Sequence, residues 1–399
     1  MKYDIKELNI EEIYKERFRP AKITLYKISW DGVTYDFLIN YVPGSEVMAA
    51  FGTGTMSNRA LKLPFFARLT WYPSIPVTAV WYADPTYYEG NLKLYWYYGT
   101  NKKWYLENIA FILSVIAKNM GVNITESLFF GSSGGGYSSL VLATMLHGKA
   151  YVINPQIFLF NYNEIHYKRF VEDRCPEGEV PAEERTNLIK LCERERYIPR
   201  IYCLQNICDI RDIDKQITPF LSAIAHNGYD CGEAVTMDFY YNERGHNGMP
   251  DKAETLAYIN KGLADKRRGK NLLLEVKSDA PLAFFERMNG LNLGDAGAHT
   301  AFANKTKPLE VIKGVRIEWQ DDGSLLCTAE TYTQSEEHLF AFYLINSKNR
   351  IYEKMAYSPE KSCRFEGMPE DTFTVNCFVR TGTVTEVIKC AVPKKETEV

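Results

Sequence analysis

Most of the simple signals that assign a chain to a class are missing from these 399 residues. No run of eighteen apolar residues offers a membrane span. Neither charge dominates: 47 Lys and Arg stand against 50 Asp and Glu, a net charge of −3. That balance gives no electrostatic reason to expect nucleic acid as a partner. The nine cysteines are irregularly spaced with no C-x-x-C pair, and the six histidines never fall as H-x-x-x-H. No metal site, and no cofactor of any kind, is therefore expected. The glycine-rich run 131–136 lacks the Lys-Ser/Thr ending of a phosphate-binding loop. The opening Met1-Lys2-Tyr3-Asp4-Ile5-Lys6-Glu7 is charged rather than signal-like, so the reading is a cytoplasmic protein with reduced thiols.

What is present centres on Phe130-Gly131-Ser132-Ser133-Gly134-Gly135-Gly136. It follows the apolar Ser127-Leu128-Phe129 and precedes a helical pattern over Tyr137 to His147. A sharp strand-to-helix turn that lifts a serine above a sheet edge needs small residues two positions before and after it. Gly131 and Gly135 meet that need with Ser133 as nucleophile, whereas Ser132 would place Phe130 at the first crowded position. The N–H groups of the helix would face a developing oxyanion.

A serine hydroxyl needs an imidazole to take its proton, and the imidazole needs a carboxylate to hold it. Both follow in the required order. Arg200 to Ile207 reads as a strand ending at Asp209, and a helix spans roughly Ile213 to Asn227, where Pro219 marks a kink or the true start. The strand Ala234 to Tyr241 leads to His246. Ser133, His246 and Asp209 are assigned as nucleophile, base and orienting acid, with Asp212 as the rival acid. The N–H groups of Gly134 and Thr53 are the expected oxyanion donors, Thr53 lying in the Gly52-Thr53-Gly54-Thr55 loop after the strand Val47 to Phe51. Ten Tyr and Trp residues crowd positions 71–98. Most are expected to fill the core, with Tyr87 and Tyr88 as substrate-binding residues that pack on sugar faces.

Residues 1–269 form the expected catalytic domain. It starts with a hairpin, Ile23 to Trp30 and Val33 to Tyr41, joined at Asp31-Gly32. Strands and helices then alternate, as a mostly parallel sheet covered on both faces requires. Residues 157–199 are charged and helix-prone, either a cap over the site or a solvated excursion. Residues 270–399 read as short strands at 272–276, 315–319, 325–331, 339–345, 351–355, 373–380 and 384–390, an immunoglobulin-like β-sandwich.

The elbow, with Asp209 and His246 in order, resembles the α/β-hydrolase superfamily over residues 20 to 265. More narrowly, Gly131 to Gly136, Asn154-Pro155-Gln156 and Gln205-Asn206 with Asp209 are similar to bacterial proteins of surface-glycan biosynthesis, including capsule-locus proteins and accessory-secretion glycan O-acetyltransferases. That resemblance implies acyl transfer to or from a sugar hydroxyl inside the cell. The chain departs from lipases in carrying Phe51-Gly52 where a His-Gly pair is usual, which leaves the second oxyanion donor open. Three functions fit: an esterase or O-acetyltransferase working through acyl-Ser133 on an acylated glycan or small ester, a serine peptidase with the same triad, and a non-catalytic scaffold. The β-sandwich would then bind a protein or glycan partner, or buttress the catalytic domain.

Overall fold

The structure is a computed structural model that describes residues 3–20, 23–56, 62–227, 229, 231–272, 283–289, 312–331, 338–347, 350–369, 371–381 and 384–393. Nine strands form one large sheet: β1 (Asp4–Asn9), β2 (Thr24–Trp30), β3 (Val33–Asn40), β4 (Met48–Gly52), β5 (Thr78–Tyr82), β6 (Leu128–Ser133), β7 (Lys149–Pro155), β8 (Arg200–Asn206) and β9 (Val235–Tyr240). Their order is β1-β2-β3-β5-β4-β6-β7-β8-β9. Only β3 runs against its neighbours, pairing antiparallel with β2 and β5 while the other pairs are parallel. From β2 onward this is the α/β-hydrolase sheet. The expected hairpin is β2–β3, and β1 adds a strand at the edge.

Covering both faces is what makes the central strands mostly apolar. Every residue of β4, β5 and β7 is buried. On one face Phe51, Trp81, Phe130, Tyr151 and Ile259 share a core cluster. Helices α1 (Tyr105–Met120), α2 (Gly134–Met145), α3 (Glu164–Arg174), α4 (Leu188–Glu195), α5 (Thr218–His226) and α6 (Lys252–Ala264) connect the strands.

Pro219 explains the run between Asp209 and α5. A proline ring clashes with the carbonyl four residues earlier and brings no N–H of its own. The chain widens into a π turn at Ile213–Ile217 just before it. The carbonyl of Lys215 instead accepts from Asn161 Nδ2 at 2.9 Å. Gln216 Oε1 accepts the N–H groups of Ile157 and Phe158 at 2.8 and 2.7 Å. The helix after Asp209 is thereby tied to the start of the 157–199 segment.

The chain divides into two compact units, the first reaching Met288. Lys270, Asn271 and Phe285 fall in that first unit. Lys270 and Asn271 pair with Tyr197 and Ile198, and the His147 ring is stacked between Tyr197 and Phe285 with centroids 3.8 Å apart on each side. The strand expected at 272–276 lies outside the described residues beyond Leu272.

In the second unit two antiparallel sheets share one apolar core. One holds β10 (Ile312–Trp319), β11 (Leu325–Thr331) and β14 (Ser362–Phe365); the other holds β12 (His338–Ile345), β13 (Ile351–Ser358), β15 (Thr374–Thr381) and β16 (Val384–Ala391). The orders β10-β11-β14 and β13-β12-β15-β16 are an immunoglobulin-like arrangement. Sequence reading missed only β14 among these, a strand of four residues.

Candidate active site

The elbow is built from missing side chains. A Cβ on Gly131 would lie 2.1 Å from the Gly135 carbonyl oxygen, and one on Gly135 would lie 2.6 Å from the Gly52 oxygen. Only hydrogens fit there. Between them Ser133 takes φ 53°, ψ −125°, a region that non-glycine residues rarely occupy and that marks stored strain. Ser133 ends β6 and precedes α2, and it is half-buried rather than occluded.

His246 sits in the short turn Gly245–Asn247 after β9. Its Nε2 is 2.9 Å from Ser133 Oγ, and its Nδ1 is 2.8 Å from Asp209 Oδ2. Asp212 Oδ2 also lies 2.8 Å from Nδ1, although only Asp209 meets hydrogen-bond geometry with the ring. The structure thus brings Ser133, His246 and both rival acids together. Both acids are buried. Burial opposes charge on the imidazole, but the carboxylates of Asp209 and Asp212 close to Nδ1 outweigh it and push His246 up to about 9. Burial likewise favours neutral Asp212, yet His246 and Arg211 hold its carboxyl below the usual range. These three side chains are also the group of His, Cys, Asp and Glu among the described residues whose donor atoms lie close enough, within 4.8 Å, to share a cation. In this arrangement Nδ1 faces both carboxylates.

Two asparagines fix the loops that carry Asp209 and His246. Asn206, the last residue of β8, donates from Nδ2 to the carbonyls of Asn242 and Gly245, both at 2.7 Å. Its Oδ1 accepts from the N–H groups of Cys208 and Asn242 at 3.1 and 3.0 Å. Asn154, at φ 43°, accepts the Asn206 N–H at 2.8 Å and donates to Tyr240 Oη and the His246 carbonyl at 2.9 and 3.3 Å.

The expected oxyanion and substrate residues fare differently. Gly134 opens α2 directly after the serine. Thr53 does not present a free donor: its N–H is given to Tyr97 Oη at 2.6 Å, and the residue is buried. The cause is Tyr97, whose left-handed backbone (φ 59°) carries its hydroxyl to the end of β4. Tyr87 is buried and donates to the carbonyls of Lys93 and Gly54 at 2.8 and 3.3 Å, so it braces the loop after β4 rather than lining the site. Tyr88 donates to Asp36 Oδ2 on β3 at 2.6 Å, and β5 and β4 separate that strand from the elbow strand.

Gln156, just past β7, was not singled out as a site residue from sequence. Its Nε2 donates to Ser133 Oγ at 3.2 Å, and Trp96 Nε1 donates to its Oε1. An indole N–H can only donate, so Trp96 fixes the amide with its NH2 toward the serine. Leu94 and Trp96 wall the same corner, where a Cβ on Gly134 would lie 2.6 Å from Leu94 Cδ1 and 3.4 Å from Trp96 Cδ1. Tyr162 and His166 of the 157–199 segment pack edge-on against Trp96, and Arg211 lies over the Tyr162 ring. The first part of that segment therefore borders the site. Its α4 packs with α2 and α5 instead.

No protein-family model matches the sequence, and no curated protein matches it. Among solved structures the chain is similar to the capsule O-acetyltransferase of Neisseria meningitidis serogroup A, with 16% identity, a TM-score of 0.43, and coverage of 59% of this chain and 96% of that one. It is also similar to dipeptidyl peptidase 4 of Porphyromonas gingivalis, with 12% identity, a TM-score of 0.43, and coverage of 62% of this chain but 35% of the peptidase. A third likeness is to an S-formylglutathione hydrolase from Agrobacterium tumefaciens, with 14% identity, a TM-score of 0.42, and coverage of 61% and 94%. The strand order, not these likenesses, assigns the fold.

Proposed function

Because the chain carries the α/β-hydrolase fold, we propose that it is a serine-dependent acyl-transfer enzyme, an esterase or O-acetyltransferase, acting on an acylated glycan or small ester. The observation that carries this reading is the 2.9 Å contact between His246 Nε2 and Ser133 Oγ, with Asp209 at 2.8 Å behind the ring. A scaffold would have no use for a strained serine held on a histidine that two buried acids orient.

With the ring neutral, the acids keep its proton on Nδ1 and leave Nε2 able to accept. His246 takes the Ser133 proton as Oγ bonds to the acyl carbon, and the carbonyl π electrons move onto oxygen. Gly134 N–H and Gln156 Nε2 are the proposed donors to that oxyanion, Gln156 replacing Thr53. Collapse breaks the bond to the leaving oxygen, which receives the proton from His246. A water or sugar hydroxyl then repeats these steps on acyl-Ser133, giving its proton to His246.

The test is turnover of p-nitrophenyl acetate by wild type and Ser133→Ala, with a fluorophosphonate label located by mass spectrometry. Turnover lost in Ser133→Ala, with the label on Ser133, is the expected result. Absence of both turnover and label in the wild type would overturn the reading in favour of a scaffold.

A further inference from the structure

Arg68 occupies a position that the proposed chemistry does not use. It immediately precedes the turn Leu69–Ser74, with a left-handed backbone at φ 59°. Its Nη2 donates to Ser132 Oγ at 2.9 Å, one residue before the proposed nucleophile. Its guanidinium carbon lies 5.4 Å from the Phe130 ring centroid and 5.5 Å from that of Trp71. Phe130 and Ser132 share one face of β6, so the guanidinium is held at the end of that strand beside the elbow.

A guanidinium has five N–H donors and cannot easily shed its charge, so a half-buried one is normally met by a carboxylate. Among the described residues no acid lies within ion-pair distance of Arg68, and its one hydrogen bond to a side chain is to neutral Ser132. Burial, uncompensated by any acid, pushes its pKa down to about 10. Other arginines packed in this unit have their charge met, Arg185 by the carbonyls of Thr100 and Asn101, both at 3.0 Å, and the rest by acids. Arg200 has Asp265 at 2.9 Å, Arg194 has Glu195 at 2.7 Å and Glu107 at 2.9 Å, and Arg174 has Asp173 at 3.0 Å. Core packing alone does not require a charge here, since two aromatic rings would accept an apolar side chain at lower cost.

We propose that Arg68 forms an anion subsite beside Ser133 that binds a carboxylate or phosphate group of the substrate. The planar fork suits either group, and the remaining N–H donors are the ones an oxygen pair would take. The substrate class narrows accordingly, from any acyl ester to one that carries a negative charge close to the transferred acyl group. This rests on the proposed function for its place in a reaction but not for the binding itself.

The experiment separates the two. Inorganic phosphate and malonate are titrated by calorimetry into wild type, Ser133→Ala, Arg68→Gln and Arg68→Lys. Wild type and Ser133→Ala should bind at least one anion alike, since the subsite does not depend on an activated serine. Arg68→Gln should weaken binding by about tenfold or more, and Arg68→Lys by less, because charge survives while the fork is lost. Whichever anion binds more tightly identifies the group. Thermal melts show whether each variant is folded. Failure of both anions to bind wild type, or unchanged binding in folded Arg68→Gln, would overturn the proposal while leaving the serine labelling result untouched. Loss of labelling with anion binding intact would overturn the enzymatic reading instead.

Discussion

Asp209 and Asp212 both present an oxygen 2.8 Å from His246 Nδ1. Asp209 caps the short helical turn after β8, accepting the Asp212 N–H at 3.4 Å, and this turn sets the two carboxylates side by side. The proposed triad needs one acid; here two lie at one ring nitrogen, and on that reading each can compensate for the other.

That pairing predicts a non-additive mutation series. Asp209→Asn should lower kcat by about 10- to 100-fold, less than removal of a sole triad acid, because Asp212 remains at the ring. Asp212→Asn should cost less than Asp209→Asn. The double variant should lose on the order of 10³-fold or more, beyond the product of the singles. Steady-state kinetics on an acetyl ester would check this, and equal losses in the two singles would show that the acids are interchangeable.

The raised pKa of His246, about 9, should appear in the pH profile. Below it the ring is charged, Nε2 cannot accept the serine proton, and kcat/KM should climb with pH to a plateau above about 9. Stability should move the other way. The folded pKa exceeds the unfolded value near 6.5, so the charged ring's contribution is complete below about 6.5 and is lost as pH rises through 9. Melting temperature against pH, compared with His246→Gln, would show this as a decline present in wild type and missing in the variant. Asp212, held low by His246 and Arg211, works in the opposite sense and is lost as the pH falls into the acid range.

Gln156→Ala should reduce kcat by about 10²- to 10³-fold with little change in KM, the signature of a donor that acts on the transition-state oxyanion. Trp96→Phe removes the indole N–H that orients the amide and should reproduce a smaller part of that loss. A change in KM alone would place Gln156 in substrate binding instead.

Asn206→Ala removes four side-chain hydrogen bonds, three to the loop of His246 and one within the loop of Asp209. A loss of about 2–4 kcal/mol is expected in denaturant unfolding, with a fall in kcat as His246 loses its place. Gly131→Ala should be worse for folding, since its Cβ would meet the Gly135 backbone oxygen at 2.1 Å. Little soluble protein or a sharply lowered melting temperature is the expected outcome.

Local chemistry made much of this protein legible from sequence alone. The elbow glycines, the strand run-in and the helix run-out constrain backbone within a few residues, and they determined where Ser133 would stand. The alternation of strands and helices determined the sheet, and the order of acid and histidine followed from it, because loops at the carboxyl ends of parallel strands meet on one side. The apolar period-two strands near the C-terminus determined the sandwich. Tertiary structure alone decided the contacts between distant side chains. It gave the Thr53 N–H to Tyr97 across 44 residues and the Tyr88 hydroxyl to Asp36 across 52. It set Asp212 beside Asp209 at the same ring nitrogen, aimed Gln156 at the serine through Trp96, and left Arg68 beside the elbow with no acid among the described residues. No period or motif encodes such pairings, because a buried polar group takes whichever partner packing brings within about 3 Å.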